Sequence, residues 1–418
     1  MFYGLNYWPR SRAMYFWDDF RAEEVREDFD RFARDGFNHL RVTLSWEAFQ
    51  PKRGEPAPQA LRDLETLVGL AEERGLQLTL ALFMGHMSGA TFVPPWLLAG
   101  PGRRGRLCDP RFQVVTAGKV LRPRPLLDIW TDRRVLESQR ILVKSVLEAV
   151  GHSRALYAVD LGNESDNVLP PARTQDATRW FRALSRYVKR ISPALKVTLG
   201  FHGENLFQVK RLSIAEIAPD CDFVSFHPYP NYTDWMDDPL DTDFFPFMIA
   251  FLRRLTGKPV FIQEFGLPVP ARQKPRTRVV RFQRVPGSSR PLEKQRLFNR
   301  RAYGEFVWSA LRKSRIAGNL GMLLWCSYDY GPALSGLAPL DTALHERHFG
   351  FYDQDGDRKI RRWDLERLLR TPLLPARIPP FGKLIALYRD QDALESCPVE
   401  RRTALWREAF TRFCRREK

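Results

Sequence analysis

Glu164 and Glu264 are the residues around which this chain can do chemistry. Each closes an apolar, β-favouring run, Val159-Asp160-Leu161-Gly162-Asn163-Glu164 and Val260-Phe261-Ile262-Gln263-Glu264-Phe265-Gly266. A strand that stops on a carboxylate presents it at the mouth of a barrel, where barrel sites are built, rather than to a packed core. Two carboxyls facing one cleft suit acetal cleavage. One gives a proton to the departing oxygen, and the other attacks or stabilises the oxocarbenium-like carbon.

The elements around these runs alternate between short apolar strands and amphipathic helical stripes. Strands are expected at Gly4 to Tyr7, His39 to Leu44, Leu76 to Phe83, Leu156 to Leu161, Leu195 to Phe201, Asp222 to Phe226, Pro259 to Gln263 and Leu320 to Trp325. Helical stripes run through Val25, Phe29, Phe32 and Ala33, through Leu61, Leu64, Leu67, Val68 and Ala71, and through Ala177, Trp180, Phe181, Leu184, Val188 and Ile191. Gly36, Gly75 and Pro193 stop them. Parallel strands need such crossovers, and eight of them close a barrel. The fold class expected is therefore α/β, a (β/α)8 TIM barrel. An open doubly wound sheet is the competitor, but no G-x-G-x-x-G follows an early strand.

Two connections are too long for simple βα loops, about 84–130 after the third strand and 267–294 after the seventh. Leu365, Leu368 and Leu369 mark a closing helix, and Thr403 to Phe413 one more helix packed outside the barrel. This gives a catalytic barrel over 1–385 and a short helical C-terminal extension over 386–418.

At the expected strand ends stand Arg41, His86, Asn163-Glu164, His227-Pro228-Tyr229, Glu264 and Trp325, in that order. Types and order resemble the clan A retaining glycoside hydrolases, most closely glycoside hydrolase family 5, the family of cellulases, β-mannanases and β-mannosidases. The resemblance runs from Met1 to Phe351 and leaves out the tail and the two long connections. It implies Glu164 as acid and then base, and Glu264 as nucleophile. It also implies that Arg41 and Tyr229 hold Glu264 and that Asn163 binds the sugar's 2-hydroxyl. His227 would sit beside Glu164, His86 at sugar hydroxyls, and Trp325 under the reacting sugar. No metal and no organic cofactor are implied. The substrate would be an oligo- or polysaccharide of β-mannoside or β-glucan type, cleaved by double displacement through a covalent glycosyl–enzyme. Two other readings stay open: a carbohydrate- or polyanion-binding barrel without turnover, and a transglycosylase using the same two glutamates. Asn6, Trp8, Trp46, His202 and Glu204 lie near other strand ends and are secondary candidates for the cleft.

Composition narrows the class further. The chain is 44% hydrophobic and 12% aromatic, which fits a globular protein. No apolar run reaches the roughly 18–20 residues of a membrane span, so no membrane partner is expected. If Met1 is the native start, with no signal segment before the first strand, a cytoplasmic location is expected; removal of a precursor segment would leave secretion open. Five scattered cysteines without a C-x-x-C pair fit reduced thiols. The net charge of +17 is concentrated: Pro101–Pro125 contributes +6 and Pro270–Arg301 contributes +10. These windows coincide with the long connections. They carry no stacking platform or helix-turn-helix, so no nucleic acid is expected, and an anionic glycan drawn to them is a secondary hypothesis. Oligomeric state is open. Asp353-Gln354-Asp355-Gly356-Asp357 reads as a turn, because an EF-hand needs glycine at position six and glutamate at twelve, where Arg358 and Asp364 stand. His345-Glu346-Arg347-His348 has i, i+3 spacing but no evident third metal ligand.

Overall fold

The computed structural model describes residues 1–100, 104–270, 277–315, 319–370 and 381–415. Eight parallel strands close a barrel in chain order: β1 (Phe2–Tyr7), β2 (His39–Ser45), β3 (Gln77–Met84), β4 (Leu156–Asn163), β5 (Lys196–His202), β6 (Val224–His227), β7 (Val260–Phe265) and β8 (Asn319–Leu324). These are the strands expected from the sequence, with ends shifted by one or two residues.

The helices between them are α1 (Ala22–Arg34), α2 (Pro58–Glu73), α3 (Arg133–Val150), α4 (Thr174–Ile191), α5 (Ile214–Ile217), α6 (Phe244–Thr256), α7 (Arg300–Lys313) and α8 (Leu365–Arg370). Local chemistry explains their ends. Pro58 sits in the first turn of α2, where its missing N–H is not needed. The Asp132 side chain caps α3 by accepting from Arg134 N at 2.9 Å. Leu365 and Leu368 of α8 are buried, while the side chain of Leu369 lies outside the described residues.

Helix α6 is apolar nearly all round, Phe-Phe-Pro-Phe-Met-Ile-Ala-Phe-Leu, a pattern that demands cover on two sides. One side packs on the barrel, where Phe245 meets Phe265 at 5.4 Å. The other is covered by the C-terminal helices α9 (Gly382–Arg389), α10 (Gln391–Ser396) and α11 (Val399–Arg415). Trp406 of α11, fully buried, lies 4.7 Å from Phe251 and stacks on Trp235 at 5.8 Å. The domain boundary expected at 385/386 falls inside α9, where Ile385 and Tyr388 are buried together.

Both long connections carry strands that the sequence reading left as loops. After β3, short strands at His86–Met87, Ala90–Phe92, Gln113–Thr116 and Lys119–Leu121 form a small sheet. After β7, Thr277–Phe282 pairs antiparallel with Glu293–Phe298, extending the insertion past Lys294. The alternation of buried Phe282 and half-buried Val280 with exposed Val279 and Arg281 was the available signal.

Inside the barrel the side chains stack in layers. Ala158, Phe223, Phe261 and Leu323 plug the lower end. Above them Gln263 Nε2 donates to Thr79 Oγ1 at 3.2 Å, and Ser225 Oγ donates to Gln263 Oε1 at 2.7 Å. Charged groups occupy the top. The strict alternation of a strand would turn Glu264 outward if Phe261 and Gln263 point in. A register irregularity between Ile262 and Phe265 reverses it, so Glu264 faces the interior and Phe265 the helices. Strand β4 does the same between Asp160 and Asn163. Gly162 lies at that shift, where a Cβ would stand 2.1 Å from Ser165 Oγ.

Candidate active site

Arg41 is the centre of the upper layer and is fully buried. Its Nη1 donates to Glu264 Oε1 at 2.7 Å and to Asn6 Oδ1 at 3.1 Å. Its Nε and Nη2 grip Asp160 Oδ2 at 3.2 and 2.8 Å, and Nη2 also donates to Asn163 Oδ1 at 2.8 Å. Asp160 is itself fixed, accepting from Gly162 N at 3.2 Å and Gly200 N at 2.8 Å. The guanidinium therefore ties β1, β2, β4 and β7 into one rigid plate. Burying such a charge is tolerable only with paired carboxylates and saturated donors, and both are present.

Glu264 also accepts from the Tyr229 hydroxyl at 3.0 Å. Burial pushes the Tyr229 phenol well above its ordinary value, so it remains a donor. His227 Nδ1 lies 2.9 Å from Glu164 Oε1 and 3.4 Å from Glu264 Oε1. Burial pushes the imidazole down to about 4, so it is neutral near pH 7. A neutral ring facing two carboxyls through Nδ1 places its proton there, leaving Nε2, buried without a partner, as the bare nitrogen.

The facing oxygen atoms of Glu164 and Glu264, with His227 Nδ1, all lie within 4.8 Å of one another. Burial raises both carboxyls above the usual range. Arg41 and the Tyr229 hydroxyl oppose that rise at Glu264. Among the described residues no guanidinium touches Glu164, whereas Arg41 favours the ionised form of Glu264, so a single proton shared by the pair is better placed on Glu164. Glu164 stands one residue beyond β4 in left-handed backbone, φ 46° and ψ 47°, which swings its carboxyl toward the cleft.

The remaining expected residues converge on the same place. Asn163 Nδ2 donates to the His86 carbonyl at 2.9 Å, and the His86 ring packs on Phe112 at 4.4 Å. Trp325 lies edge-on to Trp8 with ring centroids 6.5 Å apart. His86, Asn163, Glu164, His227, Tyr229, Glu264 and Trp325 all line one cleft of about 1020 Å³. Arg41 lies beneath it. Of the secondary candidates, His202 and Glu204 line the cleft, while Asn6 sits under Arg41. Trp8 and Trp46 belong to the hydrophobic core.

The sequence reading missed Asp160 and Asn167. Asn167 Nδ2 donates to Glu164 Oε2 at 3.0 Å. A carboxylate within an otherwise apolar strand was the signal for Asp160; Asn167 offers none beyond its place three residues after Glu164.

Of the two basic windows, only Arg111, Arg284 and Arg290 line the cleft among the described residues; Arg103, Arg272, Lys274 and Arg276 lie outside that set. Arg111 is bound to Glu204 at 2.7 Å and Arg284 to Glu293 at 2.9 Å. Arg284 also lies over both Phe112 and Phe282, at 5.7 and 5.2 Å, stitching the two insertions together. Among the described residues, the cleft's acidic side chains outnumber its arginines.

Glu164, His227 and Glu264 also form a set whose atoms are close enough to bracket a cation. An ion there would meet the Arg41 guanidinium already seated on Glu264. At the other sequence candidates, His345 Nε2 faces the Tyr232 hydroxyl at 3.1 Å and Glu346 at 3.2 Å. Asp353 Oδ1 accepts from Asp355 N and Asp357 N at 3.0 and 2.9 Å, a turn.

No protein-family model matches the chain, and no curated protein matches it in sequence. Solved structures are similar in fold. A GH5_18 protein from Streptomyces cattleya, in complex with Manb1-4GlcNAc, is 20% identical with a TM-score of 0.69, covering 89% of this chain and 82% of that one. A GH5_18 protein from Bifidobacterium longum subsp. longum ATCC 55813, with the same ligand, is 17% identical with a TM-score of 0.68, covering 99% and 94%. The exo-beta-1,4-mannosidase Op5Man5 from Opitutaceae bacterium strain TAV5 is 22% identical with a TM-score of 0.65, covering 94% and 60%. At these identities the likeness is one of fold, a (β/α)8 barrel spanning most of the chain.

Proposed function

We propose that this protein is a retaining glycoside hydrolase that cleaves β-mannosidic bonds. The observation that carries the reading is the pair Glu164 and Glu264, facing each other within 4.8 Å, with different partners on each. A gap of about 5 Å suits double displacement; inversion needs roughly 6.5–9.5 Å, to admit a water between the carboxyls.

In the first step Glu264 attacks the anomeric carbon while Glu164 passes its proton to the departing oxygen. The carbon–oxygen bond breaks and a glycosyl ester forms on Glu264. In the second step Glu164, now ionised, takes a proton from water. The water oxygen displaces Glu264, and the sugar leaves with its original configuration. Loss of the Glu264 charge in the intermediate lowers the affinity of Glu164 for its proton, which suits the change from acid to base. Asn163 keeps one amide hydrogen free for the sugar's 2-hydroxyl, since Arg41 holds its oxygen and the His86 carbonyl takes only one donor. Trp325 offers an apolar face to the pyranose.

Support for mannose comes from the neighbours, two solved with Manb1-4GlcNAc and one named an exo-beta-1,4-mannosidase. The hairpin residues Arg290 and Glu293 and the extension residues Cys397 to Val399 bound the cleft, a shape that favours trimming chain ends. Proton NMR of the first product formed from a β-mannoside tests the mechanism. Initial release of β-mannose is expected, and initial α-mannose would overturn it. A barrel that only binds sugar would turn over nothing, with or without Glu264→Ala.

A further inference from the structure

Asn167 is held by its carbonyl oxygen from two directions. Lys210 Nζ donates to Asn167 Oδ1 at 2.6 Å and Arg111 Nη2 at 3.1 Å. These cations come from different connections, Arg111 from the one after β3 and Lys210 from the one after β5. They are anchored in turn. Arg111 reaches Asp109 at 2.8 Å and Glu204 at 2.7 Å, and Lys210 pairs with Glu204 and lies 3.6 Å from Asp166. His202 closes the group, 2.9 Å from Asp166.

This arrangement leaves the Asn167 amide one orientation. A flipped side chain would set its NH2 against two cations and its oxygen against the Glu164 carboxyl. With the oxygen captured, Nδ2 is delivered to Glu164 Oε2 at 3.0 Å while His227 occupies Oε1. Both carboxyl oxygens then have a fixed donor, which sets the plane of the group. We infer that Asn167, clamped by Arg111 and Lys210, is a positioning residue that orients the Glu164 carboxyl for proton transfer to the leaving group. The inference rests on the assignment of Glu164 as acid/base made above. It gives the connections after β3 and β5 a part in the reaction: they hold the acid from outside the barrel.

Leaving groups separate this role from a structural one. A 2,4-dinitrophenyl aglycone departs without a proton, whereas a phenyl or sugar aglycone needs one. The experiment measures kcat/KM, which reports the glycosylation step, on 2,4-dinitrophenyl and phenyl β-mannosides for the full-length wild type, Asn167→Ala and Asn167→Asp. Asp has the shape of Asn and can satisfy Arg111 and Lys210, but it cannot donate to Glu164. The ratio of activated to unactivated kcat/KM is expected to rise about tenfold or more in both variants. Thermal melts alongside identify any variant that does not fold, and the isosteric Asp keeps the comparison open if Ala fails. A ratio at the wild-type value in Asn167→Asp, or a fall shared equally by both substrates, would overturn the positioning role. A wild type inactive on both substrates would instead sink the assignment of function.

Discussion

The two carboxyls of the cleft are built from different parts of the molecule. Glu264 lies within strand β7; besides the Tyr229 hydroxyl it is held by Arg41 of β2, which Asn6 of β1 and Asp160 of β4 fix in turn, and these three are almost entirely buried. Glu164 lies just past the end of β4, and much of what surrounds it lies on the connections beyond β3, β4 and β5: Arg111, Asn167, Glu204 and Lys210. The contrast is visible in exposure. The Arg41–Glu264 pair has side chains 0% and 6% exposed, whereas Arg111 and Glu204 are each 29% exposed. A nucleophile must meet one carbon along one line, so rigid strands suit it. The proposed acid is instead oriented from outside the barrel, by donors carried on connections.

Changes aimed at each side should break this comparison or sharpen it. The largest effect is expected from Glu264→Ala, which removes the proposed nucleophile. Turnover of a 4-nitrophenyl β-mannoside should fall by at least about 10⁴-fold with the fold retained. Next is Arg41→Met, which leaves Asp160 and Glu264 as buried charges with no cation. Urea unfolding should show a loss of about 3–5 kcal/mol. The same exchange at Arg111 should cost clearly less, because water reaches that pair; equal losses would erase the distinction between a strand-built and a loop-built wall.

A smaller effect is expected from Tyr229→Phe, which removes one hydrogen bond to a charged oxygen. Such a bond contributes about 1.5–3 kcal/mol, so kcat/KM should fall roughly tenfold to a hundredfold. The sign of the pH shift follows from the same bond. The hydroxyl favours ionised Glu264, so its loss raises that pKa further. The acid limb of the kcat/KM profile, which tracks deprotonation of the nucleophile, should then move to higher pH. A limb that stays in place would mean the hydroxyl does not act on Glu264. The smallest effect is expected from Arg290→Gln at the hairpin turn. Activity on a neutral mannoside should change less than about twofold at any salt concentration, because a substrate without charge is not steered by a cation. A large salt-dependent loss on a uronic-acid or sulfated substrate would instead support the anionic-glycan hypothesis.

Much of this was legible in the chain. Runs of apolar residues separated by helical stripes located all eight strands, and the residue types at their ends named Arg41, His86, Asn163, Glu164, His227, Tyr229, Glu264 and Trp325, which the structure gathers at one mouth. Periodicity and strand order suffice for that, because in a closed parallel barrel every strand end reaches the same face. Other features could not be read there. Alternation alone would have turned Glu264 outward; the irregularity in β7 that reverses it depends on the neighbouring strands. The clamp on Asn167 joins residues 43 and 56 positions away, each of which looks in sequence like another surface cation in a basic chain. The path of the extension over α6 and beside the cleft was likewise set by packing, since an all-apolar helix demands cover without specifying what supplies it. Local pattern determined which groups are present and which end of the barrel they reach. Tertiary contact decided the angle and partners of each, because a buried carboxyl's direction and charge follow from donors that only folding brings within 3 Å or so.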